Sequence, residues 1–177
     1  MSTVFISHPD CLNHITPDHH PERVERLTSI MESLSDIDNP NLIRLDAPLC
    51  KESDITRAHP KEYLDRIKQV KPTDGCVSLD ADTFMSTGSL SAAMRGVGGI
   101  IRAIDLVMDS KVTNGFVATR PPGHHAEKAK PMGFCLFGNV SIATKYILDH
   151  YRLPKVAIID FDVHHGNGTQ DILWDET

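Results

Sequence analysis

Two short segments concentrate the residue types that bind metals and move protons. The first is Asp160-Phe161-Asp162-Val163-His164-His165-Gly166-Asn167-Gly168. The second is Arg120-Pro121-Pro122-Gly123-His124-His125-Ala126, running on to Gly133-Phe134-Cys135. In an extended chain side chains i and i+2 share a face, so Asp162 and His164 can aim a carboxylate oxygen and an imidazole nitrogen at one point. Asp160 lies one step deeper on that face. Such a donor pair suits zinc. A lone Asp-x-His is most simply a solvated turn. Two aspartates, two histidines and two glycines behind an apolar run argue instead for metal or catalytic chemistry. His124 and His125 suit proton transfer, because imidazole titrates near neutrality and a proline-stiffened loop fixes its aim.

Both segments follow candidate strands. Lys155–Asp160 (KVAIID) is a continuous apolar run of the kind buried in a parallel sheet covered on both faces. Gly115–Thr119 (GFVAT) precedes the paired histidines. The C-terminal edge of a parallel sheet is where α/β proteins hold ligands, so the two strand ends are expected to form one constellation. Further strands are expected at Thr3–Ser7 and Leu42–Leu45. Helices are expected from Pro21, where Val24, Leu27, Ile30, Met31 and Leu34 recur at helical steps, over Lys61–Val70, over Ser86–Asp109 and over Asn139–Tyr151. Ser53 is expected to cap a short helix near Ile55. Gly96, Gly98 and Gly99 in the longest helix predict close helix–sheet packing. The fold class is α/β, with a mainly parallel sheet flanked by helices.

The 177 residues carry 18 Lys+Arg against 24 Asp+Glu, a formal net charge of −6. That balance argues against direct nucleic-acid binding. No apolar run approaches the ~18–20 residues that span a bilayer, which argues against a membrane partner. The N-terminus lacks the pattern of a secretory signal, and the four scattered cysteines include no CxxC pair, so reduced thiols and a cytoplasmic location are expected. His14, His19 and His20, with His20-Pro21-Glu22-Arg23, could form a second metal site, but a histidine-rich loop leading into a helix explains them more simply. Asp80-Ala81-Asp82-Thr83 reads as a turn before the long helix, His59-Pro60 as a loop, and Trp174 as a core or interface residue.

At these segments the chain resembles the histone deacetylase family, whose fold is shared with arginase. RPPGHHA…GFC and DFDVHHGNGTQD match its two most diagnostic stretches, and HPER at 20–23 and RAHPKEYLDRI at 57–67 match its N-terminal ones. Asn167 makes the chain more similar to the class II branch. The resemblance implies that Asp162 and His164 ligate a catalytic zinc. His124 and His125, backed by Asp160 and Asn167 respectively, would stand beside its water. The backbone of Asp160, Asp162 and His164, with the Asp160 carboxylate, would help hold a structural potassium ion. Gly133 and Phe134 would wall a tunnel for the acetylated side chain, and Asp82 would be a rim residue gripping the substrate backbone. The implied reaction is hydrolysis of the acetyl group from an acetylated lysine, peptide or protein, or from an acetylated polyamine.

The resemblance also implies an incomplete apparatus. The family's third zinc ligand, an aspartate, and its carbonyl-polarising tyrosine or histidine come later in the chain, and Asp171 and Asp175 sit where a helical turn points them elsewhere. Residues 1–177 are therefore expected to form the N-terminal part of a single catalytic domain, incomplete at its C-terminus and inactive alone. Self-association through an uncovered sheet edge is expected. Two alternatives remain open: a manganese ureohydrolase, disfavoured by the Asp-x-Asp-x-His-His order, and a non-catalytic half-domain that binds acetyl-lysine or another partner.

Overall fold

A computed structural model describes residues 1–176. Its sheet is built from β1 (Thr3–Ser7), β2 (Leu42–Asp46) and β5 (Asn114–Val117), in the order β2-β1-β5 with every pairing parallel. A two-stranded antiparallel ribbon, β3 (Cys76–Ser78) and β4 (Phe84–Ser86), stands apart from it. The helices are α1 (Glu25–Ser35), α2 (Glu52–Ile55), α3 (Lys61–Gln69), α4 (Ser89–Met108), α5 (Asn139–Tyr146) and α6 (Asn167–Leu173). α5 runs on into a π-helical turn at Ile147–Tyr151. The parallel sheet flanked by helices is the architecture that alternating strand and helix patterns predict.

α4 is the central packing element. One face contributes Ala93 and Val97 to a core with Ile55, Tyr63, Leu64 and Phe137. Its later turns place Ala103 against Val4, Ile6 and Ala47 beneath the sheet. The approach is close enough to require glycine: a Cβ on Gly98 would lie 2.0 Å from Pro48 O, and one on Gly99 3.0 Å from Val117 Cγ1. Close packing is thus the reason for the glycines, despite the ~1 kcal/mol each costs a helix relative to alanine.

Three expectations need correction. Lys155–Asp160 forms no strand; it is extended without a ladder, and Ile159, Phe161 and Val163 are 87%, 97% and 92% exposed. A cleft of about 420 Å³ separates Val117 and Thr119 from Ile158 and Asp160, so the segment lies too far from β5 to pair with it. α1 begins at Glu25 rather than Pro21, because Thr16 Oγ1 donates to Glu22 O and the chain turns there first. Ser53 lies within α2, where the Asp54 carboxylate accepts from Lys51 N–H instead. His59 lies in a loop as expected, but buried there, and Trp174, expected in the core or an interface, is exposed and so outside the core.

Candidate functional site

Beyond β5 the chain turns into the loop 120–126, which carries His124 and His125. Residues 160–166 approach it and lead into α6. Two backbone bonds lock the segments together, with Gly168 N–H and Thr169 N–H donating to His124 O at 2.9 and 3.2 Å. The segment at 162–164 is bent rather than extended. Asp160 Oδ1 accepts from Asp162 N–H and Asp162 Oδ1 from His164 N–H, at 3.2 and 2.8 Å, so each aspartate turns the chain behind it. These bonds, rather than strand alternation, bring Asp162 and His164 together.

The two imidazoles lie with ring centroids 4.0 Å apart, and His125 is 6.0 Å from His164. His124 Nδ1 is 3.0 Å from Asp160 Oδ2, and His125 Nδ1 is 2.6 Å from Asn167 Oδ1. A carboxylate only accepts, so His124 carries its proton on Nδ1. The Asn167 amide donates through Nδ2 to Glu127 Oε1 at 3.0 Å, which turns its oxygen towards His125 and assigns that ring the same tautomer. In the neutral rings Nε2 is then the nitrogen left to accept a proton. Although burial works to raise it, the Asp160 carboxyl is held below the usual carboxylate range by its hydrogen bond with His124. The Asp162 carboxyl is likewise lowered, first by the backbone N–H of His164 and then by its ring.

Asp162 Oδ1 and His164 Nδ1 are 3.0 Å apart. At that distance the ring donates its Nδ1–H to the carboxylate, so a zinc ion held by this pair would displace that proton and part the two atoms to roughly 3.4 Å, as donors ~2.0–2.2 Å from a tetrahedral ion require. Among the described residues no group of three His, Cys, Asp or Glu side chains is placed to hold a metal. Asp171 Oδ2 instead accepts from Lys128 N–H at 2.8 Å, and His165 pairs with Gln170. His14, His19 and His20 form no such group either.

On the other side of His125, Gly133 has φ +54, and a Cβ there would lie 2.4 Å from the His125 ring. Phe134, at φ +71, is held by its N–H donating to Thr83 Oγ1 at 3.0 Å and by edge contact with the His20 ring, centroids 4.6 Å apart. His20 Nε2 donates to Asp82 O at 3.0 Å. Asp82, His20, Phe134 and Gly133 thus form a chain of contacts that ends against the His125 ring. Sequence reading did not single out Thr83 and Glu127, because their roles rest on partners 51 and 40 residues away.

The family model described as "Histone deacetylase domain" matches residues 20–177. A histone deacetylase-like amidohydrolase of Pseudomonas aeruginosa is 36% identical over 154 residues, covering 87% of this chain and 40% of its own. A probable deacetylase of Archaeoglobus fulgidus is 33% identical, covering 99% of this chain and 49% of its own. Among solved structures, the HDA15 HD domain superposes with a TM-score of 0.87 at 30% identity, covering 99% of this chain and 51% of that one. The chain spans about half or less of the length of these proteins.

Proposed function

The chain belongs to the histone deacetylase family, and on that premise we propose that residues 1–177 are the N-terminal part of one catalytic domain that hydrolyses the acetyl amide of an acetylated lysine, peptide or protein, or of an acetylated polyamine. The observation that carries this reading is the pair His124 and His125, each tied through Nδ1 to an oxygen of the 160–167 segment, beside Asp162 and His164. Asp162 and His164 would hold a zinc ion, which supplies Lewis acidity towards the acetyl carbonyl. Asn167 keeps the free Nε2 of His125 aimed into the site, where it takes a proton from the attacking water. The water oxygen bonds to the acetyl carbon, the C–N bond breaks, and an imidazole returns a proton to the departing amine. Asp160 fixes the His124 ring, whose role is mainly electrostatic. Gly133 and Phe134 wall the approach of the aliphatic stem, and Asp82 meets the substrate backbone at the rim.

The backbone carbonyls of Asp160, Asp162 and His164, with the Asp160 carboxylate, would hold a structural potassium ion, as the family resemblance implies. The bare stripe of Ile159, Phe161 and Val163 supports self-association. Four free cysteines suit a reducing, cytoplasmic setting. No described helix is long and apolar enough to cross a membrane. Zinc titration and acetate release from an acetyl-lysine peptide test the proposal together. The 177-residue chain is expected to bind zinc weakly, to lose that binding in His164→Ala, and to turn over no peptide. Tight binding with robust turnover would overturn the incomplete donor set, and zinc binding indifferent to His164→Ala would overturn the metal assignment. The two-donor site also favours a second reading, a non-catalytic acetyl-lysine binder, for which calorimetry with acetylated and unacetylated peptides gives different heats.

A further inference from the structure

Glu22, of the HPER segment, and Arg120, at the head of the histidine loop, take no part in the chemistry above, yet they meet in the interior. They are 1% and 3% exposed. Arg120 Nε and Nη2 each donate to a Glu22 carboxylate oxygen at 2.6 Å, and Nη1 donates to Cys11 O at 3.2 Å. His14 Nε2 lies 3.3 Å from the same carboxylate, with its Nδ1 against Ser89 Oγ, and Arg26 approaches from the solvent side at 3.6 Å. Burial alone would raise the Glu22 carboxyl, but the nearby His14 ring and the bonds from Arg120 prevail and hold it at about 2.

The loop this pair anchors is fastened at its far end, through His124 O and the two imidazoles, but hardly at all at its head. Ala118 N–H donates to Ile6 O and Ala126 N–H to Gly123 O, but no backbone N–H from Thr119 to His125 donates to another backbone group. Pro121 and Pro122 have none to offer. A planar guanidinium gripping a carboxylate with two bonds fixes direction as well as distance. We infer that Glu22 and Arg120 are the positioning pair that sets where His124 and His125 enter the site, through the two-pronged grip of Arg120 at the head of a loop whose other ties lie at its far end, on His124 and His125. The inference rests on the proposed function only in calling the two imidazoles the reacting groups.

The test is NMR of the metal-free chain, so it stands or falls separately from zinc binding and turnover. The signals are the hydrogen-bonded Nδ1–H protons of His124 and His125, together with amide exchange at Gly168 and Thr169, whose N–H groups donate to His124 O. In Glu22→Gln/Arg120→Met neither charge is left unpaired in the interior, so the fold is expected to persist. The two Nδ1–H signals are expected to shift or vanish, and the two amides to exchange about tenfold faster. Arg120→Lys keeps the charge but cannot grip both carboxylate oxygens and Cys11 O, and the same losses are expected there in weaker form. Unchanged signals and exchange in either folded variant would overturn the inference, since a purely structural ion pair alters melting alone. Absence of both signals from the parent would overturn the site geometry and the inference with it.

Discussion

His59 offers a pH dependence whose size follows from its surroundings. The ring is buried against Tyr63 and Phe137, with Nδ1–H donating to Lys128 O at 3.1 Å and Nε2 accepting from Gly138 N–H at 2.9 Å. Both nitrogens are satisfied only in the neutral ring, since a second proton would displace the Gly138 bond. Burial therefore depresses its pKa from 6.5 to about 4, against the opposing pull of the Lys128 and Glu127 backbone. Because the unfolded chain binds this proton more readily, the contribution is complete above pH 6.5 and lost as pH falls towards 4. The full loss corresponds to roughly 3.4 kcal/mol, and at pH 5 to about 2 kcal/mol. For a chain of this length that is a fall in Tm of about 4–8 °C between pH 7.5 and 5. Urea unfolding followed by circular dichroism at both pH values, in the parent and in His59→Gln, isolates it. Gln can donate to Lys128 O and accept from Gly138 N–H but does not titrate. The parent should lose about 2 kcal/mol more than the variant on acidification. Equal losses would refute the reasoning.

Two glycines separate stability from geometry. In Gly166→Ala the new Cβ meets Asp160 Oδ2 at 2.6 Å from an ordinary φ of −74, so a flexible carboxylate must yield. Its stability should change by under about 0.5 kcal/mol while the His124 Nδ1–H signal disappears. Gly133→Ala adds left-handed backbone strain to a clash with the His125 ring and should cost at least about 1–2 kcal/mol as well as the His125 signal. Light scattering should show the mass rising with concentration, and Ile159→Ser/Phe161→Ser should suppress that rise; a parent monomeric at every concentration would contradict the exposed stripe. Ellman's reagent should find one fast thiol in the native chain, lost in Cys76→Ser, because Cys11, Cys50 and Cys135 are buried and burial pushes the last two up to about 12.

The elements legible in the sequence are those whose stability is recorded locally. Helical spacing places α3 and α4 within a few residues, and the β-branched runs mark β1 and β2. Lys155–Asp160 misleads because an apolar run records a need for cover, whereas a strand also requires neighbours with free backbone groups. The meeting of His124 and His125 with the 160–168 segment follows from the two motifs at one sheet edge, and their pairing with Asp160 and Asn167 from the family resemblance, but the bends that join Asp162 to His164 come from Asx bonds that period-2 reasoning does not foresee. That the loop residue His59 is buried does not show in the sequence, because its two partners lie 69 and 79 residues away. Glu22 reads only as part of the HPER segment before a helix because its guanidinium partner is 98 residues distant. Burial of a polar group is a property of the pair, and the pair is invisible until the chain closes.

The central claim is that Asp162 and His164 present a cation-binding edge beside the paired imidazoles. Cobalt(II), added stepwise to the chain with histidine ring protons followed by NMR, tests it most directly. The account predicts that the His164 signals broaden first, those of His125 and His124 next, and those of buried His14 and His59 last, with Asp162→Ala abolishing the order. Broadening that begins at His14, His19 or His20, or that persists unchanged in Asp162→Ala, would contradict it.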